Sequence, residues 1–178
     1  RDMEAVIDSF LILARESGVE PQSEWFDVCE VVQEEADSAR ELLGDKPVRL
    51  LVHCNAKPQL YAPPRVLHVV VGNLLRNACS YTDRGTVEVT VEADGVTVGD
   101  TGIGMAPEAL ARAFEPFYPP SPDPPMGTAL GLSIVSRLCE RFGWTIVLDS
   151  TLDSGTMAQV RFAPRFGGSQ SPGLPRQP

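Results

Sequence analysis

The stretch GTVEVTVEADGVTVGD, residues 85–100, constrains the fold more than any other part of this chain. Apolar and polar residues alternate strictly on both sides of Asp94-Gly95, a dipeptide that favours the tight turns joining antiparallel strands. An apolar hairpin face must be covered, and the flanking segments supply the cover. Asp27 stands where a helix cap belongs, ahead of CEVVQEEADSARELLG, which Gly44 ends. PPRVLHVVVGNLLRNACSYT is valine-rich, yet its length and the spacing of Val66, Val70, Leu74 and Leu75 predict a helix opened by Pro63 and Pro64.

SEWFDV and PVRLLVHC read as strands, PEALARAFE as a short helix, and TALGLSIVSRLCERFG as an apolar-faced helix. WTIVLDS and TMAQVRFA pair as strands around Asp153-Ser154-Gly155. The fold class is therefore α+β: a two-layer α/β sandwich, with a mixed, mostly antiparallel sheet of about five strands packed on about three helices.

The ends read differently. Met3, Val6, Ile7, Phe10, Leu11, Leu13 and Ala14 fall at helical spacing in residues 1–17, and Gly18 and Pro21 stop that helix. The strongly amphipathic segment has little adjacent sequence to pack on. Residues 18–22 form a linker, and the Pro-, Gly- and Ser-rich residues 164–178 read as a disordered tail. The chain opens on RDMEAV, not on Met, and reads as a piece of something longer.

Composition removes several functions. A net charge of −9 argues against a nucleic-acid partner, which rewards clustered Lys and Arg. No apolar run approaches the roughly 20 residues that span a bilayer. The four cysteines, Cys29, Cys54, Cys79 and Cys139, are isolated among apolar neighbours and read as small core residues in a reducing compartment. His53 and His68 stand alone, without metal-ligand spacing.

Three places carry chemistry. Asn73 and Asn77, at i and i+4, project from one helix face, and their amide oxygens suit a Mg²⁺ that keeps its waters and binds substrate phosphates. Asp100 closes a strand and is followed by Gly102 and Gly104: a carboxylate there accepts from an exocyclic amine, while bare backbone admits a base or phosphate. Gly127 and Gly131 precede a helix whose N-terminal amides can hold phosphate oxygens. Taken singly, each is also an ordinary surface amide pair, a glycine turn or a helix start. Their spacing is more telling: Asn73 to Asp100 is 27 residues, and Asp100 to Gly127 another 27. Between the last two, PFYPPSPDPPMG puts five prolines between Phe117 and Gly127, a long loop of the kind that forms a lid.

In this order NLLRNACSYT, DTGIGM, FEPFY and GTALGLSIV resemble the N box, first glycine box, F box and second glycine box of the histidine-kinase ATP-binding domain, in the gyrase, chaperone, histidine kinase and mismatch-repair ATPase superfamily (the Bergerat fold). DSGTMAQVRF resembles its closing strand. The resemblance covers residues 23–163, with the lid at about 115–128, and the helix ending in LILARE resembles the end of the dimerisation helix that precedes this domain in sensor kinases. It implies that Asn73 and Asn77 hold Mg²⁺ and that Asp100 receives the adenine amine. Thr156 would support a recognition water, Tyr81 would lie against adenine or ribose, and Ile103 and Leu132 would wall the base pocket. Gly102, Gly104, Gly127 and Gly131, with Thr128, Ala129 and Leu130, would shape the phosphate loops. Phe114 and Phe117 would anchor the lid.

The implied activity is transfer of the γ-phosphoryl group of ATP to a histidine that this chain lacks, on the helical region of the same or the partner subunit. The implied partners are a response regulator and a second copy of the chain. The implied parent is an inner-membrane sensor with this domain in the cytoplasm. Four departures predict weakened ATP affinity: Ala129 for glycine, Ser80 where a phosphate-contacting lysine stands, a lid from Tyr118 to Met126 without Lys or Arg, and Val69 where Glu or Gln is frequent. Arg76 and Arg84 lie near enough in sequence to compensate in part. A degenerate signalling module that binds nucleotide weakly or not at all remains an alternative, as does an ATPase or serine kinase of the same superfamily.

Overall fold

The computed structural model describes residues 22–116, 118 and 131–163. Strand β1 (Glu24–Asp27) leads into helix α1 (Val28–Leu43), followed by β2 (Val48–Cys54), β3 (Gln59–Ala62) and α2 (Pro64–Ser80). The hairpin β4 (Gly85–Glu92) and β5 (Gly95–Asp100), the short α3 (Pro107–Ala111), α4 (Gly131–Phe142) and a second hairpin, β6 (Thr145–Thr151) and β7 (Gly155–Arg161), complete it.

The helix boundaries follow local chemistry. Asp27 caps α1 by accepting the N–H of Cys29 at 2.7 Å, and Gly44 ends it at φ 52°. Pro64 opens α2, where its missing N–H costs nothing. At the far end of α4 the N–H of Trp144 reaches back to the carbonyl of Cys139 at 2.8 Å around Gly143, at φ 72°.

The main sheet runs β2-β4-β5-β7-β6, parallel between β2 and β4 and antiparallel elsewhere. Val87, Val89, Val91, Val96 and Val98 form its buried stripe, closed by Val28 and Val32 of α1, Leu67 and Leu75 of α2 and Val135 of α4. Among the described residues α3 buries none of its own, so three helices cover the sheet, as the sequence predicts.

Three details differ from the sequence reading. QLYA, not read as a strand, is β3: it pairs antiparallel with β1 as a separate two-stranded sheet, in register Trp25↔Tyr61. The first hairpin turns at Ala93-Asp94, with Gly95 already in β5 opposite Glu92. Gly95 serves the neighbouring strand instead, because a Cβ there would strike the carbonyl of Val160 in β7. Cys29 and Cys54 are a correction: they are joined as a disulfide, Cα to Cα 6.2 Å, linking the start of α1 to the end of β2. Cys79 and Cys139 are the buried thiols expected, and burial pushes them up to about 11 and about 12. His68, which lacks metal-ligand spacing in the sequence, is satisfied by α1: its Nδ1 lies 2.8 Å from Glu35 Oε1, and Gly72 leaves room for that carboxylate.

Candidate functional site

A cleft of about 480 Å³, measured out to its open mouth, lies between α2, the end of β5 and the β6–β7 hairpin. Asp100, the last residue of β5, stands at its polar end. Its Oδ1 accepts the N–H of Gly102 at 2.9 Å and the N–H of Thr156 at 3.3 Å. Burial raises the carboxyl above the usual aspartate range, while those two N–H groups and the Thr82 hydroxyl pull it back.

The glycines make that turn possible. Gly104 sits at φ 62°, and a Cβ on it would strike the carbonyl of Thr151. The turn is tied on both sides, since Ile103 N–H donates to Tyr81 O at 3.1 Å and Ile103 O accepts the N–H of Asp153 at 2.7 Å. Below it, Ser150 Oγ donates to the carbonyl of Gly155 at 3.0 Å and accepts the N–H of Met105 at 2.8 Å. Its one proton being used, its 2.8 Å contact with Thr156 Oγ1 makes the Thr156 hydroxyl the donor, with acceptor lone pairs left over.

Asn73 and Asn77 share a face as their spacing predicts. Their amide oxygens converge on the first residue of α4, lying 3.4 and 3.2 Å from where a Cβ on Gly131 would be. Buried Asn73 donates to Val69 O at 2.8 Å and accepts from Arg76 Nη1 at 3.2 Å. Two neutral oxygens suit a magnesium ion delivered with phosphates. Among the described residues no cluster of His, Cys, Asp and Glu would hold a metal by itself.

Asn77, Tyr81, Asp100, Ile103, Gly104, Leu132 and Thr156, separated by up to 79 positions, thus line one cleft. Asn73 and Gly131 adjoin it through Asn77, and Gly102 lies behind it against Tyr81 and Thr82. Half-buried Phe114, just past α3, is not in the lining. Gly127, Thr128, Ala129, Leu130, Phe117, residues 1–17 and the tail lie outside the described residues. At the root of the expected lid, Arg112 is engaged by Glu115 at 2.8 Å and stacks 3.9 Å from the Tyr118 ring centre. Sequence reasoning missed Leu74, Ala78, Met105 and Leu148 as walls, and Ser150 and Thr82 as polar supports. The apolar ones carry ordinary core periodicity, and a hydroxyl's neighbours depend on the tertiary fold.

A mixed sheet under helices, with a cleft between helix and hairpin ended by an acid and glycine turns, defines a Bergerat-fold domain. The chain belongs to the histidine kinase-, DNA gyrase B-, and HSP90-like ATPase family, whose profile matches residues 62–166. It is similar to the sensor protein QseC of Escherichia coli (strain K12), 42% identical over 98 residues that cover 54% of this chain and 22% of QseC. It is similar also to the histidine protein kinase DivJ of Caulobacter vibrioides, 36% identical over 123 residues that cover 62% of this chain and 20% of DivJ. Among solved structures, full-length ShkA in complex with AMPPNP superposes with a TM-score of 0.69 at 28% identity, over 79% of this chain and 31% of that one. The chain spans about a fifth of the curated relatives it matches.

Proposed function

We propose that this chain binds Mg-ATP in the Asp100 cleft and serves as the ATP-binding domain of a sensor histidine kinase. The observation that carries the reading is the Asp100 carboxylate, with Oδ1 fixed by the N–H groups of Gly102 and Thr156 at the end of an apolar slot. An anchored acceptor there reads an exocyclic amine, while Tyr81, Ile103 and Leu132 pack on the base and Thr156 Oγ1 takes a bridging water. ShkA, solved with an ATP analogue, supports the choice of nucleotide.

Asn73 and Asn77 would hold Mg²⁺, which when bound neutralises phosphate charge. Gly102, Gly104, Gly127 and Gly131, with Thr128, Ala129 and Leu130, would shape the phosphate loops, and Phe114 would anchor the lid. The reaction joins a histidine nitrogen to the γ-phosphorus and breaks that phosphorus from the bridging oxygen, leaving ADP. Such chemistry asks mainly for position and charge neutralisation, and a neutral imidazole needs no base. The acceptor belongs to a helical domain preceding residue 1, of which residues 1–17 are the end, joined by linker 18–22 to the ATP-binding unit 23–163. A response regulator takes the phosphoryl group onward. The parent is a homodimeric inner-membrane sensor with this unit in the cytoplasm, whose reducing conditions would open the Cys29–Cys54 link; among the described residues no helix is long and apolar enough to cross a membrane.

One contact favours a second reading, a signalling module with a weakened nucleotide site: Arg76 already caps the Asn73 oxygen. An ATPase or serine kinase is less favoured, since Val69 provides no base and His68 is engaged with Glu35. Fusing the chain to a helical domain that bears a histidine, then adding radiolabelled ATP, tests the kinase reading. Acid-labile phosphate on the fusion and none on the chain alone is expected; label on neither, with Mg-ATP bound, contradicts it.

A further inference from the structure

Among the described residues one buried side-chain polar atom has no partner in hydrogen-bonding geometry, the hydroxyl of Thr82, although it lies near enough to Asp100 to lower that carboxyl. Thr82 is completely buried, two residues past the end of α2. Its Oγ1 lies 2.7 Å from where a Cβ on Gly102 would stand, so it is pressed on the turn that follows Asp100. Lys46 Nζ holds this segment by donating to the carbonyls of Cys79 at 3.1 Å and Thr82 at 3.4 Å, and Ile103 N–H holds it through Tyr81 O. A buried hydroxyl without a partner is costly, and a fold keeps one where something else needs it.

Both backbone donors fall on Asp100 Oδ1, which leaves Oδ2 for a ligand and for a hydroxyl. We propose that Thr82 is a specificity-determining positioning residue of this cleft: its hydroxyl completes the shell around Asp100 and keeps that carboxyl an acceptor, so that the site takes a purine bearing an amine at C6 and rejects one bearing a carbonyl there. The assignment rests on the reading that Asp100 receives the base.

An ionised carboxylate only accepts, whereas a protonated one also donates and can face the carbonyl of hypoxanthine or guanine. Burial drives Asp100 toward the protonated form, and the two N–H donors with the nearby Thr82 hydroxyl drive it back. Few other groups decide the matter. Cys79 of α2 faces the carboxyl but is held neutral by burial, and Lys46 is engaged on backbone carbonyls. Tyr81 lines the cleft, and Glu88 of β4 and Asp149 of β6 border Asp100 on the outer face of the sheet.

The test compares Thr82→Val, which keeps the shape and removes the hydroxyl, with Thr82→Ser, which keeps the hydroxyl, both in the 178-residue chain. Each is titrated with Mg-ATP and Mg-ITP, which differ at the amine, and melted without nucleotide. Thr82→Val is expected to weaken ATP about tenfold and to narrow the ATP-over-ITP ratio, with an unchanged or higher melting temperature because the fold loses no bond; Thr82→Ser restores both. Wild-type affinity and ratio in Thr82→Val overturn the assignment, and so does an affinity loss that merely follows a lowered melting temperature with the ratio intact. A wild-type chain that binds neither nucleotide overturns the reading of the cleft itself, and the role of Thr82 with it.

Discussion

Asp100 Oδ1 accepts the backbone N–H of Thr156 at 3.3 Å across 56 residues of sequence, so one carboxylate joins the end of β5 to the start of β7. Gly155, immediately before, approaches so closely that a Cβ on it would strike the Asp100 carbonyl. The acid is thus part of the sheet's frame as well as of the cleft.

That double role has a pH signature. Burial raises the Asp100 carboxyl, so the folded chain holds its proton more tightly than the unfolded chain does. The sign follows from linkage: stability from this group is present below the ordinary aspartate value near 3.8 and is lost as pH rises through the raised folded value. Asp100→Asn removes that loss. Denaturant unfolding of both proteins across acid to neutral pH checks it: the gap is expected to move in favour of the variant as pH rises. Nucleotide affinity runs the other way, since the ionised carboxylate is the acceptor, and falls on acidification.

Gly104→Ala meets two penalties, a φ of 62° and a Cβ against the Thr151 carbonyl. The fold is expected to lose about 2 kcal/mol or more, read as a lowered denaturant midpoint. An unchanged midpoint would mean that the turn is not held as described.

Gly131→Ala is expected to behave differently. Its Cβ would press on the ends of two flexible side chains, Asn77 Oδ1 at 3.2 Å and Asn73 Oδ1 at 3.4 Å, within a helix that favours alanine. Melting temperature is expected to hold or rise, while the increment that Mg²⁺ adds to ATP affinity shrinks severalfold. Titration with and without Mg²⁺ reads it.

The Cys29–Cys54 link, closing a loop of 25 residues, is expected to contribute about 3.5 kcal/mol on the chain-entropy account. Dithiothreitol is expected to lower the denaturant midpoint of the wild type and to leave Cys29→Ser/Cys54→Ser unchanged. Thiol titration of the unfolded, unreduced chain is expected to find two thiols, Cys79 and Cys139.

Local signals carried much of this structure. Asp27, Gly44 and Pro64 mark helix boundaries because capping and proline chemistry are decided within a few residues. The alternation of 85–100 survives as the central valine stripe. What sequence did not reveal depends on partners far along the chain. QLYA becomes a strand only beside β1, Gly95 answers to β7 rather than to its turn, and Cys54 meets Cys29 only after α1 and β2 pack. The cleft follows the same division: Asp100, Asn77 and Tyr81 stand out in motifs, while Thr82 and Ser150 acquire meaning from burial and contact.

On the proposed reading, Asp100 makes this cleft a magnesium-dependent adenine-nucleotide site. Calorimetric titration of the chain with ATP and with GTP, with and without Mg²⁺, repeated on Asp100→Asn, tests it most directly. Binding selective for ATP and strengthened by Mg²⁺ is expected, weakened in Asp100→Asn by roughly 10-fold to 100-fold, the cost of losing a charged acceptor. No heat with millimolar Mg-ATP, or equal affinity for ATP and GTP unaffected by Asp100→Asn, would contradict it.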